Sequence, residues 1–468
     1  MTFTLASRHV VLEASSTPTV EEGWLVVEGS RIASVGRGPV PDDAPRVIDL
    51  GDRLIAPALV NAHTHCALSM LRGGLGAAAA GNVVEDLFYR IERQLQPEDV
   101  RALVRMGAWE SLLAGVGLVW DHYFFGEALA AGLADTGIAA VVAPTIQDVG
   151  GPSLDAQGRD RSDRELAATE TIALSGMPRV FAAVGPHATD TVSPALWRRA
   201  ADLAERLGLP LHAHLAQSVE EVQRARERHG TTPFGLLERE GVLERVRGVF
   251  AHALFVDDAE LSRLGPGHAL VACPYSQLVF GFPARVDRWE ASGARWVVAT
   301  DCAASNDSMA LRKELRFLAG LRTVGASFTS AYDAFLRGQG DAESVAATRR
   351  EAYAAFEATA TPAELYTRIT SVPGALHPHV RAGVIAPGAI ASVVVYDLDH
   401  PSFWPATDPI AALVMGDVDA AIHAMWVAGR AIGERGDFHR SIVRSELYRA
   451  HRAEAKARLS ELRARAGL

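Results

Sequence analysis

Hydrophobic positions near the start of the chain come in short alternating runs broken by turn residues: HVVLEA, then GWLVVEGSRIASVGRG, then RVIDL. A period of two between turn signals predicts strands of a small antiparallel sheet. The same texture returns in GVIAPGAIASVVVYDL and AAIHAMWVAGRAIG near the other end, so the two terminal segments are expected to complete one small β-sandwich. Between them, apolar bursts alternate with longer helical patterns. The bursts include GVGLVWDHY, AAVVAPT, RVFAAVGPH, LPLHAHL, RGVFAHALF, HALVACP and ARWVVATD, and the spacers include PEDVRALVRMGAWESLLAG and SVEEVQRARERHG. Alternation repeated about eight times predicts parallel βα units of the α/β class, and closing them gives a (β/α)8 TIM-like barrel. An open doubly wound sheet is the alternative. Neither GxGxxG after a strand nor GxxxxGK[ST] occurs to support its nucleotide-binding forms. An Ala- and charge-rich stretch near 324–360 predicts helix, and ELYRAHRAEAKARLSELRARAG predicts a surface helix at the end. The expected division is 1–57 and 381–436 for the two halves of the sandwich, 58–380 for the barrel, and 437–468 for a helical tail.

Composition narrows the function. The 468 residues are 49% hydrophobic and 22% charged, which suits a large folded core. A formal net charge of −10 repels phosphate backbones and anionic lipid, so nucleic acid and membrane are poor partners and a small-molecule substrate is expected. The N-terminus has no basic stretch leading into an apolar one, and no long uninterrupted apolar run occurs; a cytoplasmic location is the expectation. Cys66, Cys273 and Cys302 are too few and too scattered for a disulfide framework or a cysteine zinc site. Any metal must then be held by histidine and carboxylate.

In a parallel barrel the reactive groups sit where strands end. LIAPALVNAHTH ends in His63 and His65, which alternation puts on one face, where they can share a metal. LPLHAHL carries His212 and His214, FAHALF carries His252, VGPH carries His187, VWDH carries Asp121 and His122, and WVVATD ends in Asp301. One histidine after an apolar run is an ordinary core residue. Several histidines and an aspartate at successive strand ends point to a metal site.

These motifs carry a resemblance. NAHTH followed by LRG, then HAHLAQ, AHALF and ATDCAASNDS, resembles the amidohydrolase superfamily, in its branch of metal-dependent aminohydrolases and chlorohydrolases that includes guanine deaminase and the triazine hydrolases. DPIAALV near Asp408 is similar to that branch's C-terminal signature. The resemblance implies one metal held by His63, His65, His214 and Asp301. Imidazole and carboxylate donors favour Zn, with Fe or Mn as alternatives, and an open position lets the ion lower the pKa of a bound water. Asp301 would then hold that water and accept its proton, and His252 would stabilise charge on the attacked group without ligating.

One position departs from the pattern. The deaminases of the branch read HxxE after the fifth strand, their Glu moving a proton; here the segment is His214-Leu215-Ala216-Gln217. Glutamine hydrogen-bonds but cannot donate and recover a proton. Glu220 and Glu221, one turn on, are expected to be solvated residues of the next helix. Arg72 in MLRG, His122, His187 and Ser305 are candidate substrate contacts; Asn306 is expected to cap a helix, and Phe88 to pack in one. The leading functional expectation is hydrolytic deamination of a purine, pterin, pyrimidine or triazine type N-heterocycle by metal-bound hydroxide. An amidohydrolase or chlorohydrolase with a non-amine leaving group is the alternative that Gln217 raises. A catalytically silent metal-binding paralogue is the third. A homodimer fits any of them.

Overall fold

Alternating runs at both ends of the chain form strands. In the computed structural model, which describes residues 2–13, 17–74, 87–150, 152, 160–279, 284–327, 330–359 and 361–468, Thr2–Glu13 pairs antiparallel with Pro18–Glu28, and the latter with Arg31–Arg37. Leu54–Pro57 then lies beside Thr2–Glu13 on one side and Val393–Tyr396 on the other, so both terminal segments share one eight-stranded sheet that continues through Ile422–Val427 to Arg430–Ile432. The sheet is mixed, not purely antiparallel as expected. Val47–Asp49 and Leu54–Pro57 run parallel to Thr2–Glu13, because the segment after Arg37 carries the chain back to its starting end before Val47–Asp49, and Leu54–Pro57 continues along the same edge. One face of this sheet has a core of its own, with Leu5, Leu25, Ile55, Val393 and Val395 at its centre.

The middle of the chain supplies parallel strands. Leu59–Thr64, Val116–Tyr123, Ala139–Ile146 and two short pieces, Val180–Ala182 and Gly185–Pro186, form one sheet. Leu211–Leu215, Gly248–His252, Ala269–Ala272 and Trp296–Val298 form a second. Isolated parallel bridges, Val184 to Leu211 and Thr64 to Asp301, link the two sheets at both edges. Val116–Tyr123 and Ala139–Ile146 are buried at every position, as strands covered on both faces must be. That is why they read as continuous apolar runs.

Helices brace the turns at the strand ends. Pro97–Leu113 starts from a reciprocal cap between Gln96 and Asp99 and packs on the turn after His65. Gly107 permits this approach: a Cβ there would sit 2.5 Å from the Cys66 carbonyl oxygen. The final helices, Phe438–Arg444 and Glu446–Ala466, are less superficial than their charge suggests. His451, Ala455 and Leu462 are buried, Trp109 Nε1 donates to His451 at 3.2 Å, and Arg465 pairs with the buried Asp99. Phe88 packs into the main core. Among the described residues no helix is long and apolar enough to cross a membrane.

Candidate metal and hydrolytic site

The ends of the parallel strands bring His63, His65, His214, His252 and Asp301 together. His63 and His65 leave the first parallel strand on one face; the Thr64 hydroxyl between them points the other way, donating to Asp121 Oδ2 at 2.7 Å. That carboxylate also accepts the Cys66 amide at 2.8 Å, so Asp121 fixes the turn that carries both histidines. Asn61 exchanges hydrogen bonds with Thr300, pinning the first parallel strand to the one that ends in Asp301. Backbone strain gathers here: His252, Ala216 and Asp301 have φ of 74, 47 and 61°, values that non-glycine residues adopt at a cost.

The hydrogen bonds fix which ring nitrogens are free. His65 Nδ1 donates to the His122 carbonyl, and His214 Nδ1 donates to the His187 carbonyl at 3.0 Å. With Nδ1 engaged in this way, each ring turns its Nε2 inward as the ligand atom, and these two nitrogens face each other at 3.3 Å. Two lone pairs cannot bond to one another; they need a cation between them. A separation of about 3.3 Å is what two nitrogens 2.0–2.1 Å from a tetrahedral ion require. His63 Nε2 is buried without a partner and lies 3.8 Å from Asp301 Oδ1, while His65 Nε2 is 3.5 Å from the same oxygen. Three imidazole nitrogens and one carboxylate oxygen thus converge, and the residues fit a divalent metal.

Burial disfavours the charged form of His63, His214 and His252. Desolvation, then repulsion from His65 and its neighbours, holds His63 well below the usual imidazole range, and desolvation followed by His187 does the same for His214. His252 is lowered by burial against the opposing pull of Asp301. Its Nε2 lies 4.0 Å from Asp301 Oδ2, and among the described residues neither of its ring nitrogens is tied by a hydrogen bond. His252 also falls within a ligand-sized cluster with His63 and His214.

Asp301 is held from several sides. Oδ1 accepts the Cys302 amide at 2.7 Å, and Oδ2 accepts the Ser276 hydroxyl at 2.6 Å. Ser305 lies 2.7 Å from Ser276 and 3.4 Å from Asp301 Oδ2. Sequence reasoning missed Ser276, because the strand before it, Ala269–Ala272, is followed by Cys273-Pro274 and offers no histidine or carboxylate to catch the eye. It also left His212 unassigned, although His212 Nε2 sits 2.9 Å from His63 Nδ1.

The remaining candidates divide. His122 is buried, with Nδ1 on the Thr145 hydroxyl at 2.9 Å and its ring 5.3 Å from that of His214. His187 is half-buried, with Nδ1 on the Thr191 hydroxyl at 2.7 Å and its ring 4.8 Å from His214. Arg72 is paired with Glu110, outside the histidine cluster. Asn306 caps no helix: it donates to the Thr300 carbonyl and to the buried Glu314. Gln217 is half-buried in the loop after the fifth parallel strand. Glu220 is exposed, whereas Glu221 is not the solvated residue expected. It is buried and accepts hydrogen bonds from the Gln217 amide and from the Thr189 amide and hydroxyl, and desolvation, then Asp190, pushes it up to about 7.

Residues 54–432 match the amidohydrolase family. The 5-methylthioadenosine/S-adenosylhomocysteine deaminase 1 of Archaeoglobus fulgidus is 29% identical over 425 residues, covering 90% of this chain and 91% of that protein. In three dimensions the chain is similar to an adenosine deaminase from Xanthomonas campestris with bound zinc, at a TM-score of 0.78 and 22% identity over 99% of this chain and 98% of the other. A triazine hydrolase from Arthrobacter aurescens superposes with a TM-score of 0.78 at 20% identity over 98% and 99%.

Proposed function

The chain belongs to the amidohydrolase family and is a metal-dependent hydrolase of C–N bonds, and from that premise we propose that it deaminates a small N-heterocycle. The observation that carries the reading is the pair of facing Nε2 atoms of His65 and His214, 3.3 Å apart beside the free Nε2 of His63 and the Asp301 carboxylate. We assign these four residues as ligands of one zinc ion. The ion supplies Lewis acidity that makes water nucleophilic at neutral pH. Asp301 Oδ2 takes the proton of the attacking water, and His252 Nε2, 4.0 Å away and untied, relays it towards the leaving nitrogen. Gln217 can hold a ring nitrogen or amine by hydrogen bonds but moves no proton. His187, whose Nδ1 is engaged by Thr191, turns its other nitrogen to substrate, with His122 beside it. Ser305, through Ser276, steadies Asp301. The relatives named as nucleoside deaminases support an aminated purine as the substrate class.

The two bridges between the parallel sheets support a closed barrel over 58–380, and the separate core of the terminal sheet supports a sandwich from 1–57 and 381–436, with 437–468 as a helical tail. Three free, buried thiols suit the reducing cytoplasm.

The test is ammonia release by zinc-loaded and chelator-stripped protein from 5-methylthioadenosine, S-adenosylhomocysteine, adenosine, guanine and an aminotriazine. Metal-dependent ammonia from at least one is expected. Gln217 favours one competing reading, a non-amine leaving group. Chloride release from a chlorotriazine without ammonia from any amine would establish that reading instead.

A further inference from the structure

Gln147 is a polar side chain that the proposed deamination does not use and the fold does not satisfy. It comes directly after Ala139–Ile146, the third parallel strand, and is 1% exposed. Among the described residues neither its Oε1 nor its Nε2 has a hydrogen-bond partner. A buried carboxamide with both ends unpaired is costly, and native folds rarely keep one without a reason.

Its placement suggests the reason. Two residues earlier on the same strand, Thr145 faces the site, its hydroxyl 2.9 Å from His122 Nδ1. Alternation puts Gln147 on that same side, one step nearer the strand's C-terminal end. His122 Nε2, on this side of the site, is likewise buried without a partner. The backbone around Gln147 is fixed: the His187 amide donates to the Ile146 carbonyl at 3.0 Å, and the amides of Asp148 and Val149 both donate to the Thr191 carbonyl. A fixed strand end therefore carries an unsatisfied donor and acceptor two residues beyond Thr145, the partner of His122.

We propose that Gln147 is a specificity residue whose carboxamide reads a donor and an acceptor lying side by side on the substrate, and this rests on the deaminase reading of the same pocket. Such a pair exists on the edge of an aminated ring, where an N–H adjoins a ring nitrogen. It also exists on the vicinal hydroxyls of a ribose. In the free enzyme the amide waits unpaired; in the complex both of its ends are used.

The experiment compares zinc-loaded wild type, Gln147→Met and Gln147→Glu on adenosine and on 2',3'-dideoxyadenosine. Methionine keeps length and removes both polar ends, and glutamate keeps an acceptor and removes the donor. KM is expected to rise about 10- to 100-fold in Gln147→Met with kcat little changed, the cost of leaving a substrate group unpaired. The melting temperature should stay level or rise, because an orphaned amide has been replaced by an apolar group. A residue with only a structural role would lower it. A rise in KM on both nucleosides assigns the ring edge, and a rise on adenosine alone assigns the diol. Wild-type KM in Gln147→Met on every amine that wild type turns over would overturn the proposal. So would a lower melting temperature with loss of zinc. If wild type releases no ammonia from either nucleoside or from the wider panel, the deaminase reading fails separately. The melting temperature then decides for Gln147, a level or higher value supporting an amide left open for a ligand and a fall overturning it.

Discussion

Replacing His212 by leucine tests whether the site is built by tautomer control. His63 Nδ1 and His212 Nε2 are 2.9 Å apart and both buried. Burial holds His212 down to about 3, so it is a neutral ring, and a metal on His63 Nε2 requires the His63 proton to sit on Nδ1 and be donated to His212 Nε2. That arrangement leaves His63 Nε2 unprotonated and ready to bind metal. In the leucine variant, metal binding strands a buried N–H, at about 1–3 kcal/mol. Zinc affinity should therefore fall about 5- to 150-fold, in the range typical for groups that orient a ligand. The apoprotein escapes most of this cost, because His63 can carry its proton on Nε2 instead, facing Asp301 Oδ1 at 3.8 Å. The expected signature is weakened zinc binding with a nearly unchanged melting temperature for the apoprotein. His212→Gln, which returns an acceptor, should recover most of the affinity. Competition for zinc against a chromophoric chelator measures all three proteins. Wild-type affinity in His212→Leu would refute the reasoning.

The same geometry sets three further outcomes. Ser276→Ala removes a hydroxyl bonded to Asp301 Oδ2 at 2.6 Å; a lost bond to a charged acceptor predicts kcat/KM about 10- to 150-fold lower, and an unchanged rate would place Ser276 outside the chemistry. Gln217→Glu adds a carboxylate to the loop that already buries Glu221, and activity on the native substrate should fall; a gain in ammonia release would mean that a missing proton carrier had been restored. Glu314 is raised to about 7, first by desolvation, so its contribution to stability is present below about pH 4.5 and lost as the pH climbs through 7. The stability advantage of wild type over Glu314→Gln should shrink by on the order of 3 kcal/mol between pH 4.5 and 8.5, read by urea unfolding, and a constant gap would contradict it.

Barrels display their chemistry in a way that makes part of the site legible from sequence. A strand buried on both faces is a continuous apolar run, so its polar terminus stands out, and His63, His65, His214, His252 and Asp301 are each visible as the end of such a run. The supporting residues lack this contrast. Ser276 is an uncharged residue past a strand that is followed by cysteine and proline. Glu221 sits in SVEEVQRARERH, whose charge reads as a solvated helix face, and it is buried only because Thr189, far away in the chain, brings donors to it. The mixed terminal sheet is hidden for a similar reason. Alternation marks a strand and its faces but not its neighbour, and Leu54–Pro57 takes partners from both ends of the chain. The buried side of the final helix is masked by its arginines, one of which, Arg465, is anchored on Asp99.

That shared sheet also gives the chain a history. A ribosome releases Leu54–Pro57 long before Val393–Tyr396, the strand that lies against it, and every strand of the two parallel sheets is made in the interval. Until then one edge of Leu54–Pro57 carries bare amides and carbonyls, a template for any other unfinished strand nearby. Joining the two ends is a contact between distant segments and is slow to form. A nascent or truncated chain lacking the last strands would therefore first fail by associating with its neighbours, and the metal site could be fully assembled in molecules already lost to aggregation.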